Sequence, residues 1–332
     1  MINYFDVFIT VTFLLLLAVP GFIFAKIKML PKTASETLTV IVLYGCQPIL
    51  IINSFQGCSF NPDIAVNMLL VAGISLLAHL IMFAIVKFIF IKWQENEKVK
   101  IVKYLSVFSN CAFMGLPFLQ SLFTDLSVQA ELIIYSAVIL AIFNVVNWTF
   151  GVYILTGNKK EISVKKILLN PVIISVVFSL VLFIVLQKPI IEFTTEGSFA
   201  YKILSKMLTS FSFLSNMVTP LSMFVIGIRL ANINWKQLLM DKWVYIATGV
   251  KLIVMSFVVM FLVAYLPIDS TIKYTIFFLL SMPSATSGAM MAVKYGKDSD
   301  FASVGVVMST ICSIFTLPLA YVFMSSVLGV II

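Results

Sequence analysis

The sequence is short of charge. Only 11% of its 332 residues are Asp, Glu, Lys or Arg, against roughly 25% in an ordinary soluble domain. With 61% hydrophobic residues and a mean hydropathy of +1.10, a water-soluble globule is excluded and helices packed in lipid are implied. Acidic residues are scarcest where they would matter most. Asp6, Glu36, Asp63, Asp125, Glu131 and Asp269 fall at the ends of apolar runs or in loops, none at a centre. A carboxylate at membrane depth is the usual means of coupling to protons or sodium. Any such coupling here has to use another group, and whether H+ or Na+ is involved stays open.

There is one histidine, His79, and the four cysteines, Cys46, Cys58, Cys111 and Cys312, form no C-x-x-C. With no H-E-x-x-H and no pair of mid-run aspartates, neither metal nor acid–base hydrolysis has a candidate set. The expectation is of no catalytic residue, no metal and no cofactor. The longest stretch without an apolar run, around 187–205, is shorter than an independent fold. Function therefore has to sit within or between helices.

What is abundant is apolar runs. A bilayer core of about 30 Å takes about 20 helical residues to cross, and ten runs of that order are present: 5–25, 36–55, 64–91, 103–123, 131–155, 169–187, 204–228, 243–266, 272–294 and 301–328. We number them spans one to ten. The net charge of +8 could suggest nucleic acid, but seventeen of the 22 basic residues fall in alternate loops. They run from Lys26, Lys28 and Lys32 through Arg229, Lys236 and Lys242 to Lys294 and Lys297. Under the positive-inside rule both termini lie outside, with Lys188, Lys202, Lys206 and Lys273 as exceptions. The first run has no basic n-region and no small-residue cleavage site, the pattern of a first helix rather than of a removed signal.

Two spans are interrupted. Span four carries Ser-Asn-Cys-Ala-Phe-Met-Gly-Leu-Pro at 109–117, and span nine carries Ser-Met-Pro-Ser-Ala-Thr-Ser-Gly at 281–288. Proline lacks an N–H and glycine lets the backbone leave helical geometry, so each stretch predicts an unwound segment between two half-helices. In hydrocarbon, unpaired backbone groups cost several kcal/mol each unless buried in protein or lining a wet cavity. Plain kinks are the competing reading, but Asn110, Ser281, Ser284, Thr286 and Ser287 cluster at the breaks. Broken helices in corresponding positions of two halves point to a transporter's binding site.

Gln47-Pro48 in span two and Thr219-Pro220 in span seven extend the correspondence, with prolines 48 and 220 lying 172 residues apart and prolines 117 and 283 lying 166 apart. The chain therefore reads as an all-α polytopic membrane protein of two five-helix repeats, 1–155 and 156–332. Five is odd, so the second repeat enters from the opposite face and is inverted. Spans four and nine then cross at the midplane, with half-helices starting near Pro117 and Ser284 aiming free N–H groups at one centre. Each such terminus behaves like roughly half a positive charge, worth about 0.3–2 kcal/mol to an anion. Pro117 suits the first position of its half-helix, and Ser281 or Ser284 could cap the other. With no acid in either break, a small anion is favoured over a cation.

Other polar residues admit two readings. Asn144 and Asn147 share a face of span five, and Ser309, Ser313 and Thr316 form a stripe in span ten. They line the cavity, or they make interhelical hydrogen bonds worth about 0.6 kcal/mol each. Lys251 lies inside span eight, where a charge costs about 2.5–3.5 kcal/mol at the centre. It is a second-line partner for an anion, or it snorkels to the nearer surface. His79, midway along span three, is a hydrogen-bonded packing residue or a proton relay.

Asn-Cys-Ala-Phe-Met-Gly-Leu-Pro at 110–117, Met-Pro-Ser-Ala-Thr-Ser-Gly at 282–288 and Lys-Tyr-Gly-Lys-Asp at 294–298 resemble signature stretches of the auxin efflux carrier family. Pro-Leu-Ser-Met-Phe-Val-Ile-Gly at 220–227 and Thr-Leu-Pro-Leu at 316–319 look like that family's helices seven and ten. The resemblance implies ten helices in two inverted repeats with a crossover of helices four and nine, an outline shared with bile-acid symporters and sodium/proton antiporters. It implies that Asn110, Gly115, Pro117 and Pro283 form the crossover. It also implies a scaffold of helices one, two, six and seven, through which such proteins dimerise, and a moving domain of helices three to five and eight to ten. Many relatives place an asparagine near Ser287, where this chain has Thr286 and Ser287.

The bacterial members are permeases for malate, malonate or similar anions. The expectation is thus a secondary transporter of a small organic anion, a mono- or dicarboxylate, working by an elevator or rocking movement in a bacterial cell membrane. Its expected substrate-binding residues are Asn110, Gly115, Pro117, Pro283, Ser284, Thr286, Ser287, Asn144 and Lys251, and its expected partners are the anion, membrane lipid and a second copy of the chain, with no nucleic acid. The alternative is a sodium-coupled organic-anion symporter of the bile-acid type, with oxygen ligands from the crossover and from spans five and ten.

Overall fold

Apolar runs of this length have one way to satisfy their backbone in lipid, which is to hydrogen-bond within each segment. The computed structural model, which describes residues 4–31, 33–56, 61–123, 125–233 and 240–328, is accordingly helical throughout. Lys32, Cys58 and Lys236 lie outside the described residues.

Helix starts follow local chemistry. Asn-Pro recurs at 61–62 and 170–171, and in both places the asparagine side chain accepts from the backbone N–H two residues on, Asp63 and Val172, while the proline takes the first turn. Asn96, Asp241 and Asp269 cap three further helices through the N–H two residues on, and Ser198 caps a fourth through that of Tyr201, three residues on.

Among the described residues eight helices are long and apolar enough to cross a membrane: Tyr4–Lys26, Ala34–Gln56, Pro62–Ile89, Val128–Thr156, Pro171–Phe193, Phe199–Ala231, Lys242–Ala264 and Ser299–Ser326. They match spans one to three, five to eight and ten. Spans four and nine are each two pieces. Span four takes in the end of Glu97–Val107, whose first turn precedes it, followed by Cys111–Leu122, and span nine is Ser270–Ser281 followed by Ser287–Lys294. No piece alone reaches across about 30 Å of hydrocarbon.

The helices turn one face inward and leave apolar side chains on the other. In Pro62–Ile89, for example, Met68, Val71, Ser75, Ala78, Met82 and Val86 are buried at helical spacing while Leu69, Leu77 and Phe88 are exposed. That outer face suits lipid. Pro62–Ile89 packs against Leu126–Val146, Tyr4–Leu16 against Ser299–Leu328, and Gln47–Gln56 against both Pro171–Leu186 and Phe199–Asn216.

The tightest contact joins spans one and seven. A Cβ on Gly227 would lie 1.9 Å from the Ala18 carbonyl oxygen, and one on Gly21 would lie 2.2 Å from that of Phe224. The two backbones touch because both positions are glycine, the small-residue packing common between membrane helices.

Among the described residues four segments are wound as π-helix: Ile41–Cys46, Cys111–Gly115, Asn147–Gly151 and Val250–Met255. A π turn accommodates an extra residue and re-aims the side chains around it, and such turns recur at functional sites.

Candidate functional site

The helix Glu97–Val107 ends where Phe108 turns extended (φ −86°, ψ 122°), and Asn110 (φ −78°, ψ 51°) precedes the restart at Cys111. Pro117 does not begin this half-helix, as its sequence position suggested; the chain is already helical ahead of it. The π turn is the reason. Met114 and Gly115 both donate to the Asn110 carbonyl, at 3.1 and 3.0 Å, and the widened turn passes the proline, which has no N–H to place. Gly115 keeps helical angles (φ −66°, ψ −49°). It is small for another reason, since a Cβ there would meet Leu279 Cδ2 at 2.6 Å and Met282 Cγ at 3.1 Å.

The second break is different. Ser270–Ser281 ends at Met282 (φ −53°, ψ 154°), Pro283 lies within the extended segment, and the helix resumes at Ser287. Neither serine caps that restart. Ser284 Oγ donates to the Leu105 carbonyl at 2.8 Å, and Ser281 Oγ is buried without a partner.

The two breaks meet as an antiparallel bridge between Ser109 and Ser284. Asn110 N donates to the Pro283 carbonyl at 2.7 Å, and Ala285 N donates to the Phe108 carbonyl at 2.8 Å. Each break thus supplies the partners that the other lost on unwinding. Side chains complete the junction. Ser109 Oγ donates to the Leu280 carbonyl at 2.5 Å, Ser284 N donates to Ser309 Oγ at 3.0 Å, and Arg229 Nη1 donates to the Thr286 carbonyl at 2.7 Å. Lys251, fully buried, donates to Ser109 Oγ at 2.6 Å and to the Leu280 carbonyl at 3.1 Å. A bonded, buried ammonium does not snorkel.

Beside this junction lies a cavity of about 220 Å³. Of the nine residues expected at a binding site, Asn110, Asn144, Thr286 and Ser287 line it, whereas Gly115, Pro117, Pro283, Ser284 and Lys251 do not. The starts of both second half-helices reach it, through Ala112 and Phe113 on one side and Ala285 to Ser287 on the other. Asn147 joins them, its Oδ1 accepting from the Tyr104 hydroxyl at 2.6 Å, which also lies 3.2 Å from Ser287 Oγ. Asn144 donates to the Leu140 carbonyl at 2.8 Å and accepts from Asn170 Nδ2 at 3.0 Å.

Two side chains on the wall keep unused capacity. Asn110 Nδ2 and both amide atoms of Gln47 are buried with no protein partner. Among the described residues no Asp or Glu lines the cavity, and Lys294, its amine 4.3 Å from the centre of the Trp148 ring, is the one basic residue on it. His79 stays apart, with Nδ1 2.7 Å from the Ser75 carbonyl and its ring beside Phe108 and Phe143.

One family model, described as a membrane transport protein, matches the chain twice, over residues 6–167 and 155–321. The chain belongs to the auxin efflux carrier family. This is a family of transporters and not of enzymes, and with the long apolar helices it makes the protein a multi-pass membrane transporter. No curated protein matches the chain. Each match to the auxin efflux carrier model contains one of the two breaks.

Several residues of this candidate site and its junction went unread in the sequence. Gln47 stood out there only as the neighbour of Pro48, Asn170 has the position of an ordinary helix cap, and Arg229 counts among loop charges. Tyr104 has no local signal, because its partners lie 43 and 183 residues away. The π turns went unread as well. Tyr44, Phe113, Asn147 and Lys251 each sit in one of the four.

Proposed function

We propose that the protein carries a small organic anion, a mono- or dicarboxylate of the malate or malonate class, by alternating access at a crossover of spans four and nine. One observation carries the reading: a cavity that no acid lines among the described residues, on which two half-helix starts converge beside the unpartnered Asn110 Nδ2. Carboxylate oxygens accept from such groups, and the partial positive charge at each helix start adds to the attraction where water is scarce.

In this reading the eight continuous helices and two broken ones make ten spans, arranged as inverted five-helix repeats, 1–155 and 156–332. The double family match, with its changeover at 155–167, supports that division. Spans one, two, six and seven form the scaffold and the dimer contact, and spans three to five and eight to ten form the moving domain. The glycine contact of spans one and seven supports a scaffold that stays together. Gln47, on span two, then faces Asn110, on span four, across the boundary between the two bodies. A substrate held by both would be released from one wall as the other moves. We place the carrier in a bacterial cell membrane with both termini outside.

The test is a thermal-melting screen of the purified full-length protein against malate, malonate, citrate, lactate, indole acetate and bile acids, each with and without sodium. Ligand binding to the folded state raises the melting temperature by mass action. A rise with carboxylates but not with their amides, followed by saturable counter-flow in liposomes, is the expected result. No rise with any carboxylate would remove the reading.

A further inference from the structure

A half-helix that ends inside a membrane leaves its last carbonyls without partners and a partial negative charge at its tip. Here two such tips, those of Glu97–Val107 and Ser270–Ser281, are brought together. Unwound carbonyls and half-helix C-termini are the groups with which membrane carriers coordinate a coupling cation.

Lys251 fills that place. Its Nζ lies 2.6 Å from Ser109 Oγ, 3.1 Å from the Leu280 carbonyl and 3.4 Å from the Val107 carbonyl, so three N–H groups face three oxygens. Two of those oxygens come from the two helix tips. The side chain is fully buried, and no carboxylate pairs with it among the described ion pairs. The π turn Val250–Met255 directs it there. An apolar side chain of similar length would fill the space without the cost of burying a charge. The oxygens at the tips, in turn, need a cation or donors.

We infer that the Lys251 ammonium is a tethered cation occupying a monovalent-ion site between the two half-helix C-termini, so that substrate binding requires no sodium. The last clause rests on the carrier reading above; the occupied site does not. Removing the amine while keeping the oxygens would leave an empty site for a small free cation. Sodium or ethylammonium would then take the place of the side chain.

The experiment compares melting of the full-length protein in sodium chloride and in choline chloride at equal ionic strength, for the wild type, Lys251→Ala and Lys251→Met. The wild type is expected to melt at the same temperature in both salts. Lys251→Ala is expected to melt lower in choline and to recover about 2–4 °C with sodium or ethylammonium at tenfold its Kd. Lys251→Met, whose side chain blocks the site, is expected to show no recovery. Specific stabilisation of the wild type by sodium overturns the inference without any variant having to fold, and so does a folded Lys251→Ala that responds to neither cation.

A carboxylate-induced rise in sodium-free buffer supports both this inference and the carrier reading. A rise only in sodium overturns the inference and keeps the carrier. Cation rescue of Lys251→Ala without any carboxylate effect keeps the cation site and removes the carrier reading.

Discussion

Within its apolar spans the protein brings main chains into contact by two opposite means. At the contact of spans one and seven the backbone bonds stay within each helix, span one passing through a tighter turn at Leu17 and Ala18. Closeness there needs only the missing Cβ atoms of Gly21 and Gly227. At the junction of spans four and nine the helices are open, and contact is made by the backbone groups that opening released. The first kind of contact has no hydrogen bond to exchange and suits a fixed joint. The second consists of exchangeable bonds and leaves the unpartnered Asn110 Nδ2 on the cavity wall beside them.

The contrast is broken most severely on the glycine side. Gly227→Val would put a Cβ against main-chain atoms of Ala18 and Phe22 that have no rotamer to yield. Spans one and seven would have to separate, at a cost of about 3 kcal/mol or more, beyond the usual overpacking range. Loss of folded yield in detergent checks it, and wild-type yield and melting would mean that the contact is looser than described.

Ser309→Ala acts on the polar side. It leaves the buried Ser284 N–H without its partner, which costs about 1–3 kcal/mol and lowers the melting temperature while the fold survives. A variant that melts like the wild type would show that the junction repairs itself.

Asn110→Ala should cost less than about 1 kcal/mol, because the Nδ2 makes no bond in the protein. Its effect is on ligand: the rise in melting temperature with a carboxylate should vanish while the melting of the free protein hardly changes. A preserved rise would move the anion away from the junction.

The smallest effect lies at the surface. Lys100 and Lys297 hold the Glu97 carboxyl below the ordinary carboxylate range. A carboxyl lowered in the folded state adds stability above its unfolded value of about 4.3 and loses it as pH falls through the folded one. The Glu97 side chain is 58% exposed, so screening leaves a few tenths of a kcal/mol. Glu97→Gln should therefore melt slightly lower than the wild type near neutral pH and converge with it in acid.

Much of the fold was legible because lipid permits so few solutions. Apolar runs of about 20 residues gave eight of the helices to within a few residues. Proline, glycine and serine together located both breaks, and the polar residues named around them included three that line the cavity, Asn110, Thr286 and Ser287. What could not be read was winding. Nothing in Cys-Ala-Phe-Met-Gly announces a π turn, so the restart at Cys111 was placed at Pro117. Gly115 was taken as a point of release when it is a point of close approach. Gln47 and Tyr104 were missed because their significance lies in partners and neighbours on other helices, more than 40 residues away in sequence.

The four π turns make the site a matter of phase. An α-helix turns about 100° per residue, so one residue added within a turn rotates everything on one side of it relative to everything on the other. Deleting a single residue from Val250–Met255, or from any of the other three, would leave the composition and hydropathy of its helix almost unchanged. It would swing one flank of that helix through more than a quarter circle. The chemistry of this junction is thus protected less by the identity of its side chains than by their count, and insertions and deletions far too small to disturb a membrane span would be enough to scramble it.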